Sequence, residues 1–294
     1  MDIKSYRQQQ EELINNASGY GKGDHSPDDI PGRRDASAEE RADALCQLAI
    51  DPENLDERVK YLLEILGRKS EAVTVRSAAI DMLQTAAFVS SDFGDHQPAI
   101  IETMQVLATD PSPTLRERAL EYLVQHNDSY ARDILTEALQ APGKGKVKQE
   151  KAVQLLGIDD HENAATLVRE QFEDLSGKAR EEAVRVLSAD TKSFDKLVGI
   201  MRDKSAGHKL RRLTAAGLRE LDRTGFFEQA REVLEDSGDS ANLKASIVSM
   251  AEREVMAKLH LEGLDEAVEQ AEKRTQSKAL KSASKKYFNA RKQK

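Results

Sequence analysis

Leu115-Arg116-x-x-Ala119-x-x-x-Leu123 decides the fold, because the chain repeats it. Val75-Arg76-x-x-Ala79-x-x-x-Leu83 precedes it. Lys148-Gln149-x-x-Ala152-x-x-x-Leu156, Ala179-Arg180-x-x-Ala183-x-x-x-Leu187, Leu210-Arg211-x-x-Thr214-x-x-x-Leu218 and Leu243-Lys244-x-x-Ile247-x-x-x-Ala251 follow. Successive starts lie 40, 33, 31, 31 and 33 residues apart. A near-constant period of this size marks stacked repeats rather than one compact domain. In each copy the small residue and the final Leu or Ala are four apart, one helical turn, so both lie on a face that must be buried.

A second amphipathic stretch stands between copies. It reads Ile100, Ile101, Met104 and Leu107, then Ile134, Leu135, Ala138 and Leu139, then Leu167, Val168 and Phe172. Phe194, Leu197, Val198 and Met201 continue the series, followed by Phe226, Phe227, Ala230, Val233 and Leu234. Each repeat is therefore a helical hairpin whose stripes need the neighbouring repeat for burial. None of the Pro residues, at 27, 31, 52, 98, 111, 113 and 142, interrupts a periodic stretch. Gly67, Gly157, Gly225 and Gly238 flank the amphipathic runs, where a cap or tight turn would use positive φ. No alternating strand pattern is present. The sequence predicts an all-α protein, an α-solenoid of about six or seven stacked antiparallel helix pairs.

In repeat length and in the Val/Leu-Arg-x-x-Ala pattern of the second helix, residues 55–272 resemble the HEAT-repeat family, including its short bacterial and archaeal variants. The resemblance implies a ladder in which an Asp of the turn pairs with a basic residue early in the second helix. Asp110 with Arg116 and Asp239 with Lys244 would be such pairs, and Gln149 departs from the pattern.

Composition fits such an object. Charged residues make up 33% of the 294, above the roughly 25% of ordinary globular chains, as a surface-rich array requires. With no Trp and 4% aromatics, the core must be mostly Leu, Val, Ile and Ala. No apolar run approaches the ~18 residues of a membrane span, and Met1-Asp2-Ile3-Lys4 opens no signal sequence, so a cytoplasmic protein is expected. The single Cys excludes an intramolecular disulfide. That residue, Cys46, follows a capping box, Ser37-x-x-Glu40, and without a basic neighbour it reads as a small buried hydrophobe.

Three regions are expected. Residues 1–36 combine a short helix carrying Ile3, Tyr6, Leu13 and Ile14 with a linker holding four Gly and two Pro between 17 and 36. Residues 37–272 are the solenoid. Residues 273–294 hold nine Lys or Arg and no acid; with −8 for the whole chain, the remainder carries −17. Leu280, Ala283, Tyr287 and Ala290 give this segment a helical stripe. It reads as a basic tail or capping helix with a fraying end, the sharper alternative being a contact for phosphate, anionic lipid or an acidic protein.

Catalytic patterns are sparse. His161-Glu162 resembles one of the His-Glu pairs by which deoxyhypusine hydroxylases hold a di-iron centre, but that family uses several and here there is one. His25, His96, His126, His208 and His260 have no partner at ligand spacing, and Asp159 to Glu162 reads as the acidic start of a helix. DNA glycosylases built from HEAT-like repeats are similar in size but rely on Trp, and an acidic body repels DNA. Gly19-x-Gly21-Lys22-Gly23 and Gly143-Lys144-Gly145-Lys146 lack the phosphate-loop order. No metal, cofactor or catalytic residue is assigned.

A basic strip runs along Lys144, Lys146, Lys148 and Lys151, then Lys178 and Arg180, then His208, Lys209, Arg211 and Arg212, and reads first as a charge ladder with solvated turns. The expected function is a noncatalytic scaffold or adaptor that binds partner proteins along a groove lined by Arg118, Glu121, Tyr122, Lys151, Gln154 and Arg185, with Tyr122 as a partly exposed anchor. The alternatives are a cofactor-handling protein similar to the phycobilin lyases, and nucleic-acid binding through the strip and tail.

Overall fold

The computed structural model describes residues 35–88, 91–141, 143, 145–158, 162–256 and 263–292. The expected N-terminal helix, its linker up to residue 34, Lys144, Asp159 to His161 and His260 lie outside the described residues.

Among the described residues fifteen α-helices follow one another: α1 (Ala38–Cys46), α2 (Leu55–Gly67), α3 (Val73–Ala86), α4 (Gln97–Leu107), α5 (Pro113–Gln125), α6 (Ser129–Gln140), α7 (Gln149–Leu156), α8 (Glu162–Gln171), α9 (Gly177–Leu187), α10 (Phe194–Arg202), α11 (His208–Leu221), α12 (Arg223–Glu235), α13 (Ala241–Met256), α14 (Leu264–Arg274) and α15 (Lys278–Lys292). Among the described residues there is no strand. The odd-numbered helices from α3 to α13 carry the six repeat copies, and the even-numbered ones are the intervening first helices.

The molecule divides into two compact units, one through Ala131 and one from Arg132 onward. In the first, α2 packs on α3 and α4 on α5, while α1 meets α3, α3 meets α5 and α2 meets α4. In the second, α7, α9, α11, α13 and α15 pack each on the next, and α12 on α14. Within each unit the second helices thus touch their counterparts one repeat on, and most also touch the first helix of their own hairpin, which is the packing of an α-solenoid.

Why the stripes bury is visible in the register. Position 5 (Ala79, Ala119, Ala152, Ala183, Thr214, Ile247) and position 9 (Leu83, Leu123, Leu156, Leu187, Leu218, Ala251) are buried in every copy. A Ser three residues before position 1 accepts a hydrogen bond from the position-1 amide at Ser112 and Ser240, satisfying an orphan donor of the helix end. The same cap recurs at Ser37, which forms the capping box with Glu40, and at Ser277. It reveals two copies that the sequence pattern hides: Glu40-Arg41-x-x-Ala44-x-x-x-Leu48 in α1, and Leu280-Lys281-x-x-Ser284-x-x-x-Phe288 in α15.

The ladder exists, but with a different pairing from the one expected. Arg76 pairs with Asp110 at 3.0 Å, and Arg211 makes two parallel hydrogen bonds to Asp239 at 2.8 and 2.7 Å. Arg41 pairs with Glu71 at 2.5 Å. Each base reaches forward to the acid ahead of the next copy. Arg116 instead donates to the Asp110 carbonyl at 2.6 Å, and Lys244 to the Leu234 and Asp236 carbonyls. Burial lowers the pKa of the Lys244 ammonium, against the pull of Asp239 and Asp236.

A second role of position 2 is shared more widely. Arg76, Gln149, Arg211 and Lys244 each donate to a carbonyl ten residues earlier, those of Leu66, Leu139, Met201 and Leu234. Each carbonyl belongs to the penultimate residue of a first helix, where the backbone has no helical partner. An amide side chain serves as well as a guanidinium, which explains Gln149.

Two further expectations are corrected. Positive φ occurs at Gly143, Gly177, Gly263 and Asn127, and at none of Gly67, Gly157, Gly225 and Gly238. Gly157 is instead a point of close approach, since a Cβ there would stand 2.7 Å from Val186 Cγ2. Cys46 is exposed, not buried, because the inward face of α1 is Ala44 and Leu45. Its thiol pKa is raised by partial burial and by the nearby carboxylates of Asp81 and Asp43.

The last helix is packed through to its final turns. Leu280, Ala283, Ser284 and Tyr287 are buried. The Tyr287 hydroxyl donates to Asp265 of α14 at 2.5 Å, and Arg291 Nε donates to both oxygens of the same carboxylate at 3.1 Å. Burial and the Asp265 contact push the phenol's pKa well up.

Candidate partner-binding surface

Positions 4 and 7 of a second helix lie on the side away from its buried stripe, and most of the proposed groove residues fall there. In the first unit Arg118, at position 4 of α5, is half-buried and forms an ion pair with Asp81, at position 7 of α3. Glu121 is half-buried. Tyr122 does not serve as expected, for it is only 2% exposed. It sits seven residues after Leu115 and three after Ala119, on the inward face. Its ring stacks on His126 at 4.2 Å, its hydroxyl accepts from Gln97 Nε2 at 3.4 Å, and burial raises the phenol's pKa. An anchor must reach the partner, and this side chain is part of the core.

In the second unit α7 and α9 lie side by side and carry Lys151 and Gln154 at positions 4 and 7, then Glu182 and Arg185 at the same positions. Gln154 and Arg185 are exposed, and Lys151 and Glu182 are half-buried. Arg185 forms an ion pair with Glu182 one turn back. The buried positions of the same helices, Ala152, Val153, Leu155 and Leu156 on α7 and Ala179, Ala183, Val184 and Leu187 on α9, are all apolar. The surface therefore offers a charged and amide-bearing row with hydrogen-bond donors and acceptors of both signs.

The basic strip breaks up. Lys146, Lys148 and Arg212 are exposed, and Lys144 lies outside the described residues. Lys209 pairs with Glu181 at 2.5 Å, and Lys178 approaches Glu150 at 4.0 Å. In both pairs the base stands just before position 1 and the acid at position 3 of the preceding copy, so acids interleave with the bases. Arg180 pairs with Glu173 at 2.9 Å and lies over the Phe172 ring at 4.6 Å. Arg211 is withdrawn altogether. Its side chain and that of Asp239 are 4% and 3% exposed, so it is a structural rung and not a phosphate contact. The sequence reading overlooked Glu150, Glu181 and Asp81; their recurrence at positions 3 and 7 was the available signal.

Among the described residues no group of His, Cys, Asp and Glu could hold a metal ion, and no helix is long and apolar enough to cross a membrane. No curated protein matches the chain. Residues 59–156, running from within α2 to the end of α7, match the family model described as HEAT repeats. With the helix pairing, the position-2 rungs and this match together, that part of the molecule is a HEAT-repeat domain.

Proposed function

We propose that the protein is a noncatalytic scaffold or adaptor that binds partner proteins along its second helices. The observation that carries this reading is the row Lys151, Gln154, Glu182 and Arg185. Equal registers on adjacent helices keep these polar side chains at the surface while every buried position beside them is apolar. Such a row supplies several weak, mutually aligned contacts, the form of recognition that an extended repeat surface favours. The interleaving of Lys178 and Lys209 with Glu150 and Glu181 speaks against a phosphate-binding strip, which needs uncompensated positive charge.

Photo-crosslinking tests the reading. A crosslinkable residue at Gln154 or Arg185, with the protein expressed in its native cell, should capture the same partner protein from both positions. One at Glu228, exposed on α12, should not. Failure to capture any protein from 154 and 185, or equal capture from 228, would sink the groove assignment.

A further inference from the structure

We propose that the outer face of α15 is a docking site for an acidic helix of a partner protein. Seven earlier copies place a buried apolar residue at position 6: Leu45, Ile80, Leu120, Val153, Val184, Ala215 and Val248. In α15 that position is Lys285, and it is exposed. Position 2, whose bases reach forward to Glu71, Asp110 and Asp239 in the copies that form the ladder, is Lys281, also exposed. Lys278 and Lys292 complete the stripe. At 100° per residue the four lysines fall within an arc of about 60°, over a length of about 21 Å.

Elsewhere on the second unit several surface lysines stand against acids, Lys196 on Glu173, Lys204 on Asp236, Lys209 on Glu181 and Lys273 on Glu269, although among the described residues Lys146 and Lys148 do not. Among the described residues none of the four α15 lysines has a carboxylate at pairing distance, and the one ion pair of this helix belongs to Arg291. A helix face turned to solvent needs only to be polar. A face of one sign, with no compensating acid, goes beyond that requirement.

The geometry favours a helix as occupant, because α15 continues the row α7, α9, α11, α13 in which each second helix packs on the next, and position 2 is the one from which earlier copies reach forward to the acid ahead of the next repeat. Charge complementarity supplies the rest: the occupant carries carboxylates facing positions 2 and 6, the chemistry that Glu71, Asp110 and Asp239 provide inside the array. A short acidic helix meets the stripe alone. A long polyanion or an anionic bilayer would also confront residues 1–272, which carry −17.

The test is fluorescence anisotropy with the full-length protein and a labelled 16-residue helix-forming peptide bearing Glu at i, i+3, i+4 and i+7 repeats. Expected are saturable binding that weakens as salt rises, at least a tenfold loss in the Lys278→Gln, Lys281→Gln, Lys285→Gln triple variant, and retention with Arg at the same three positions. Any one of the following results would overturn the proposal. Absence of binding, or binding unchanged in the Gln triple, makes the face a plain solvated surface. A scrambled peptide of equal charge binding as tightly removes the facing-helix geometry. Tighter binding to a twelve-nucleotide oligothymidylate or to phosphatidylserine vesicles makes phosphate the ligand. Self-association in sedimentation that the Gln triple abolishes makes a second copy the occupant.

Discussion

In the first unit the position-2 arginines of α1 and α3 both reach forward to an acid, Glu71 and Asp110. In the second unit Arg211 alone forms such a rung, to Asp239, while Gln149 and Lys244 donate to carbonyls and Arg180 turns back to Glu173. The contrast separates two jobs that one side chain can hold. Capping the orphan carbonyl of the first helix is common to both units and needs only an N–H donor. The charged rung is an addition, and where it is most buried it creates its own liability, since each ion depends on the other to offset desolvation.

The largest expected effect tests that liability. Arg211→Ala leaves Asp239 buried without its partner and should cost about 3–5 kcal/mol in urea unfolding. Arg211→Gln combined with Asp239→Asn rebuilds the Gln149 arrangement and should stay within about 1.5 kcal/mol of wild type, because the donor to Met201 remains and no charge is stranded. If the double variant were as unstable as the single one, the two jobs would not be separable.

A smaller effect is expected at the uncharged rung. Gln149→Ala should cost about 1–3 kcal/mol by orphaning the Leu139 carbonyl, and Gln149→Lys should recover most of it, as Lys244 does in its own copy. Equal loss in both variants would show that shape, not donation, matters at position 2.

The smallest effect is a pH dependence at Glu71. Burial raises its pKa, but the Ala72 amide at 2.8 Å and the Arg41 guanidinium at 2.5 Å outweigh this and leave it lowered. A lowered carboxylate stabilises the fold above the unfolded-state value of about 4.3, and the contribution disappears as pH falls through the folded value. Glu71→Gln should therefore cost about 1 kcal/mol or less at pH 7 and flatten the stability profile below about pH 4.3. An unchanged acid limb would remove Glu71 from the ladder's energetics.

Much of this architecture was legible in the residues. The hidden copies show the limit of the pattern. Glu40 departs from the pattern at position 1 and Phe288 at position 9, yet the Ser cap three residues ahead of position 1 keeps the register in both. Tyr122 was misread because an amphipathic residue looks the same from sequence whether its ring faces the core or the solvent. Cys46 was misread in the opposite sense, as a small residue assigned to the core of a short helix whose stripe was already filled by Ala44 and Leu45.

Sequence alone determined the helical hairpins, their period and the buried face of each second helix. These follow from spacings of three and four residues, which a single helix converts into geometry without reference to anything else. Tertiary structure decided which acid meets which base, that Tyr122 belongs to the core, and that the position-6 surface of α15 is left as lysine in the open. Arg41 and Glu71, Arg76 and Asp110, and Arg211 and Asp239 are about thirty residues apart, and only the stacking of one repeat on the next brings each pair within hydrogen-bonding distance.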